Sequence, residues 1–175
     1  MHSRTLPLLL VLSLLGACAS GGPKVVDLPS DSFLDPSAVR WKEEPPAASA
    51  MLTSVRAAEH PGFDRVVFEF QDRVPGWKTA YVPGPAQDCG SGETHAIEGG
   101  ALMEVTFQQA QAHTDEGQPT IPERKQTLSF PTLKEMQRTC DFEGMVTYFL
   151  GTQERGRYRI EELSNPPRLV VDVEH

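Results

Sequence analysis

Apolar and polar residues alternate with a period of two along most of the chain beyond residue 50, and this pattern predicts strands. Asp64 to Gln71 is the clearest case. Val66, Phe68 and Phe70 fall on one face, and Arg65, Val67, Glu69 and Gln71 on the other. Met51, Thr53 and Val55 alternate with Leu52, Ser54 and Arg56 in an earlier strand, and Trp77 to Val82 reads as a third. Thr94 to Glu98 is a short strand, with Gly99-Gly100 as a hairpin dipeptide leading to Ala101, Met103, Val105 and Phe107 on one face of the next. Met145 to Leu150, Arg157 to Leu163 and Arg168 to Val173 complete the set, the last placing Leu169, Val171 and Val173 toward a core. Leu128 to Cys140 is open to either reading, because Leu133-Lys134-Glu135-Met136 also suits a helix. Gln108 to Lys125 is polar and reads as a long loop with one helical turn near Gln109 to Ala112. Turns at His60-Pro61-Gly62, Val74-Pro75-Gly76 and Asn165-Pro166-Pro167 punctuate the strands. The expected fold is all-β, a sandwich or an open barrel, without internal repeats.

The first third of the chain follows other rules. Leu6 to Leu15 is apolar apart from Pro7 and Ser13, too short for the roughly 20 residues that a membrane-spanning helix needs. Arg4 precedes it, and Leu15-Gly16-Ala17-Cys18 ends it. These four residues resemble the signal of bacterial lipoproteins, in which the cysteine becomes the first mature residue and carries diacylglycerol on its thiol. The resemblance implies a leader over 1–17, lipidation at Cys18 and a membrane anchor built from two or three fatty acyl chains. Ala19, not Asp, follows the cysteine, which favours the outer membrane in an organism that has two. From Cys18 to about Ala47 the prolines and glycines show no sustained period, so 18–47 reads as a lipidated, flexible tether. Such a tether spans roughly 30 Å, and Phe33-Leu34 within it could dock on the domain. The single domain is expected over 48–175.

Charge and cysteine count narrow the partners. Of the 175 residues, 16 are basic and 24 acidic, a net charge of −8. Loss of Arg4 with the leader leaves 15 basic residues against 24 acidic ones, or −9. A chain this acidic is repelled by a phosphate backbone, so nucleic acid is an unsuitable partner. Anionic headgroups repel it too, so the membrane contact must come from the lipid on Cys18. Acylation of Cys18 would leave Cys89 and Cys140, and an exported compartment permits one bridge between them. The alternative is a pair of free buried thiols.

Several stretches together resemble the AMIN-like domain of bacterial envelope proteins. They are His60-Pro61-Gly62-Phe63-Asp64-Arg65-Val66-Val67-Phe68-Glu69-Phe70, then Pro75-Gly76-Trp77, Gly90-Ser91-Gly92 and Phe142-Glu143-Gly144. The last is Leu163-Ser164-Asn165-Pro166-Pro167-Arg168-Leu169-Val170-Val171-Asp172-Val173. Order and spacing match over about 58–175. The final block is also similar to the closing strand of the broader AMIN domain, a β-sandwich of peptidoglycan amidases and secretin-associated proteins. The resemblance implies a β-sandwich and a small non-enzymatic lipoprotein of the envelope, binding peptidoglycan or another wall component. It supplies no catalytic set, and the Cys89–Cys140 pair is not part of its pattern. The alternative function is an interaction subunit of an envelope complex, docking through a sheet edge.

Candidate chemistry is sparse, and no catalytic residue, metal or cofactor is expected. His60 and Asp64 flank a turn, but a metal would need a third ligand, for which His95 is the nearest candidate. Ser91 lies between glycines without the strand-to-helix elbow of a catalytic serine. Glu161 and Glu162 point to opposite faces of a strand and cannot form one acid–base site. Arg168 and Asp172 share a strand face and read as a sheet-edge ion pair of about 0–1 kcal/mol. Trp77 and Tyr81 also share a face; they either stack on a sugar ring or fill the core, and they are the candidate binding residues.

Overall fold

A computed structural model describes residues 32–175, and it is all-β. The leader, Cys18 and the first part of the expected tether lie outside the described residues. In chain order the strands begin with β1 (Arg40–Lys42), β2 (Ala50–His60), β3 (Phe63–Phe70) and β4 (Gly76–Val82). Then come β5 (Ala86–Gln87), β6 (Thr94–His95), β7 (Ala101–Gln108), β8 (Ala110–Gln111) and β9 (Lys125–Thr127). The chain closes with β10 (Leu133–Phe142), β11 (Met145–Thr152), β12 (Tyr158–Ser164) and β13 (Pro167–Glu174).

Two sheets face each other. One has the order β1-β4-β7-β11-β10-β9 and the other β12-β13-β3-β2-β8. The alternating faces read from the sequence are the faces that meet. Val66, Phe68, Leu169, Val171 and Val173 are fully buried in one sheet, and Met103, Val105 and Phe107 in the other. Phe68 packs edge-on to Phe107 at 5.1 Å and to Tyr148 at 5.3 Å, so the aromatic rings join the layers. Burial pushes the Tyr148 and Tyr158 hydroxyls up to about 12, which keeps both as neutral phenols.

The structure departs from simple alternation at several points. In β2 the register slips between Leu52 and Ser54, so Leu52 and Val55 both reach the core although they lie on opposite faces of a regular strand. Gln109 to Ala112 is not a helical turn. Ala110–Gln111 pairs in parallel with Ala50–Met51, because Ala110, Ala112 and Ile121 bury against the end of the sandwich. Thr120 Oγ1 donates to Leu52 O at 2.6 Å and holds this loop down. Leu133–Phe142 is a strand, and it carries Cys140. Its hairpin with β11 turns at Glu143 and Gly144, both at positive φ (49° and 75°), the mirror-image geometry that matches strand twist.

The stretch 33–47, expected as tether, lies on the domain. Leu34 exchanges backbone hydrogen bonds with Tyr158, the Tyr158 hydroxyl donates to Ala38 O at 2.7 Å, and β1 adds an edge strand beside β4. Backbone pairing needs no hydrophobic period, which is why composition alone suggested disorder here.

Gly99-Gly100 does not turn a hairpin between paired strands. Residues 83–100 form an excursion that carries its own two-stranded ribbon, β5 with β6. The excursion crosses the outer face of the six-stranded sheet so closely that a Cβ at Gly151 would lie 1.9 Å from Glu98 O. Gly151→Ala is therefore expected to destabilise the domain by about 1–3 kcal/mol, measured by urea unfolding. An unchanged midpoint would show that the excursion is free to lift.

Candidate functional site

The outer face of the six-stranded sheet is the candidate site. Pairing register places Trp41, Lys78, Thr106, Thr147 and Cys140 in one row across five strands. Two residues along each strand, and so on the same face, Gly76, Gln108, Met145 and Phe142 form a second row. Three of the four large exposed apolar side chains of the described residues belong to this face, Trp41 (61 % exposed), Phe142 (57 %) and Met145 (41 %), and the fourth, Val39 (45 %), directly precedes β1. Trp41 and Phe142 stand at opposite flanks, four strand spacings or about 19 Å apart. Between them Lys78 and Gln108 are exposed, whereas Thr106, Thr147 and Cys140 are buried. Thr106 and Thr147 share a hydrogen bond at 3.0 Å, and Thr106 Oγ1 donates to Glu104 at 2.8 Å. A strip with an exposed indole at one flank and the Lys78 amine and Gln108 amide beside it has the chemistry to hold a sugar chain.

At the far end of this face the excursion builds a groove of about 560 Å³. Val82 and Leu102 belong to the sheet beneath it, Pro85 and His95 to the excursion, and Glu154 and Arg155 to the turn after β11. The Cys89–Cys140 disulfide ties the excursion to β10, with Cα atoms 5.2 Å apart. The pairing expected from the cysteine count is present. Asp88 adds a second tie through Arg124 at 3.0 Å. Hydrogen bonds from Gly90 N and then from Arg124 hold the Asp88 carboxyl below its ordinary value.

The residues singled out from the sequence fall elsewhere. Trp77 and Tyr81 share a face as expected, but it is the inner one: they are only 7 % and 8 % exposed. Trp77 Nε1 donates to Glu162 at 2.7 Å, and the Tyr81 hydroxyl accepts from Gly156 N at 3.1 Å. Neither offers a ring to a sugar, because β4 is an inner strand whose apolar side must close the core. Sequence reasoning missed Trp41, which sits in a proline-flanked stretch without alternation. Its one signal was being the other tryptophan of the chain.

Asp172 does not pair with Arg168. Four residues along a strand is about 13 Å, beyond side-chain reach. The fold instead brings Arg65 of β3 and Arg159 of β12 directly opposite Asp172 on either side. Arg65 Nε donates to Oδ1 at 2.6 Å and Arg159 Nε to Oδ2 at 3.0 Å. The Phe63 ring lies 5.2 Å from the Arg65 guanidinium, and Phe33 lies 4.8 Å from that of Arg159.

His60 stacks on Phe63 at 5.0 Å, whereas Asp64 is fully buried and accepts from Thr132 N and Leu133 N at 2.7 and 2.8 Å. Asp64 thus fastens the start of β10 to β3. Ser91 Oγ accepts from Glu93 N within a tight turn. Among the described residues no group of three or more His, Cys, Asp or Glu could hold a metal ion.

Comparison with known proteins gives one relationship. A family model, described as AMIN-like domain, matches residues 50–175. No curated protein and no solved structure matches the chain.

Proposed function

The chain belongs to the AMIN-like domain family, and on that premise we propose that it is a non-enzymatic module of the bacterial cell envelope that binds peptidoglycan. The observation that carries the reading is the strip of Trp41, Lys78, Gln108, Met145 and Phe142 that stays exposed on the outer face of the six-stranded sheet, with Trp41 at its flank. Wall glycan is uncharged along its sugar backbone, so an acidic domain meets no general repulsion there. The lipobox Leu15-Gly16-Ala17-Cys18 supports acylation of Cys18, with Ala19 favouring the outer membrane in an organism with two membranes. The domain would then work within reach of the wall from a membrane anchor.

Docking through a sheet edge, the alternative, has less support. β1 and β9 are three residues long and β8 two. β12 is longer, but Leu34 occupies the Tyr158 backbone, and Arg159, Glu161 and Glu162 charge the rest. Short and charged edges discourage strand addition.

Sedimentation with purified sacculi tests the reading. The domain is expected to co-sediment, and Trp41→Ala to reduce the bound fraction severalfold with its melting temperature unchanged. Retention no greater than that of a matched acidic control protein would overturn the proposal.

A further inference from the structure

We infer that the groove between the excursion and the sheet binds the peptide part of peptidoglycan through a zwitterionic amino-acid end, with Arg155 taking the carboxylate and Glu154 the ammonium. This rests on the wall-binding reading and assigns the ligand chemistry of one end of that face. Arg155 and Glu154 both line the groove, and among the described residues neither forms an ion pair. Most other arginines of this acidic domain have carboxylate partners: Arg56, Arg65, Arg124, Arg157 and Arg159 are all engaged. The Arg155 guanidinium lies 5.9 Å from the centre of the Tyr81 ring. A guanidinium offers paired donors to a carboxylate. An adjacent carboxylate complements an ammonium, so a ligand carrying both groups enters without a net charge.

The rest of the groove suits an extended peptide. Gly84, Gly99 and Gly100 line it, the last two because a Cβ there would meet the backbone of Thr152 and Gln153. His95 lines it with a buried Nε2 that has no hydrogen-bond partner in the free protein. Because the groove opens on the same sheet face as Trp41, one wall fragment could lay its glycan along the exposed Trp41, Lys78 and Gln108 and its peptide into the groove.

The test is calorimetric titration of the disulfide-intact domain with three probes. They are a disaccharide tetrapeptide containing meso-diaminopimelate, the free tetrapeptide, and the tetrapeptide with its side-chain amine acetylated. Binding of the free tetrapeptide is expected, weakened about tenfold by acetylation and by Arg155→Ala, with partial rescue by Arg155→Lys. Glu154→Gln should weaken the free amine form and leave the acetylated form unchanged. If peptide-free glycan chains bind as tightly as the disaccharide tetrapeptide and the tetrapeptide does not bind, the groove assignment fails while wall binding stands. If no probe binds and sacculi are not retained, both fail.

Discussion

Asp172→Ala is expected to lower unfolding stability by about 3 kcal/mol, the low end of the cost of removing one member of a buried charge pair. Asp172 is 1 % exposed and accepts from two guanidiniums, so its loss leaves Arg65 and Arg159 facing each other with only the more distant Glu161 as counter-charge. The Arg65 and Arg159 side chains are 27 % and 18 % exposed, and the water that reaches them limits the cost. Against a typical domain stability of about 5–15 kcal/mol the loss is large. It should also loosen Phe33, whose ring packs on Arg159. Urea unfolding measures the first effect, and hydrogen exchange at residues 33–42 the second. A triple apolar replacement, Arg65→Met with Arg159→Met and Asp172→Leu, should recover most of the stability, because well-packed apolar groups can replace buried charges. A loss below about 1 kcal/mol for the single variant would show that the site behaves as an ordinary surface pair.

Removing the disulfide by Cys89→Ser with Cys140→Ala is expected to cost about 4 kcal/mol on the chain-entropy model. The bridge joins positions 51 apart, and closing a loop of that length restricts the unfolded chain strongly. The double substitution avoids a reactive thiol and leaves only an alanine at the buried Cys140 position. The excursion would keep the Asp88–Arg124 pair and the Cys89 N to Thr139 O hydrogen bond at 3.4 Å, both weak ties. Limited proteolysis within 83–100 should therefore quicken, and tetrapeptide affinity should fall while Trp41-dependent binding to sacculi persists. An unchanged urea midpoint would mean that packing of residues 98–100 on β11 suffices to hold the excursion.

The two effects separate the parts of the domain. Asp172 stabilises the five-stranded sheet, which carries none of the candidate site. The disulfide holds the excursion on the six-stranded sheet, which carries all of it. Losing the first should lower the stability of the domain as a whole; losing the second should also open the groove locally.

Local chemistry made much of this legible in the sequence. Val66-Phe68-Phe70 and Leu169-Val171-Val173 alternate with polar residues, and a strand has only two faces, so these residues had to be core. Reading Cys18 as a lipidation site left Cys89 and Cys140 to each other, so cysteine count pointed to their bridge without any knowledge of the fold. The order of turns and strands was enough for an all-β domain, a sandwich or an open barrel, and the AMIN-like resemblance pointed to the sandwich. Tertiary structure decided what period-two patterning leaves open. Alternation says that Trp77 and Tyr81 share a face, but only the packing of the second sheet says that the face is covered. It says nothing of Trp41, because a three-residue edge strand is held by backbone hydrogen bonds that any sequence can make. Arg65, Asp172 and Arg159 are far apart in sequence and adjacent only by register. A strand brings its own residues together at intervals of two; it takes the neighbouring strand to supply the charge opposite.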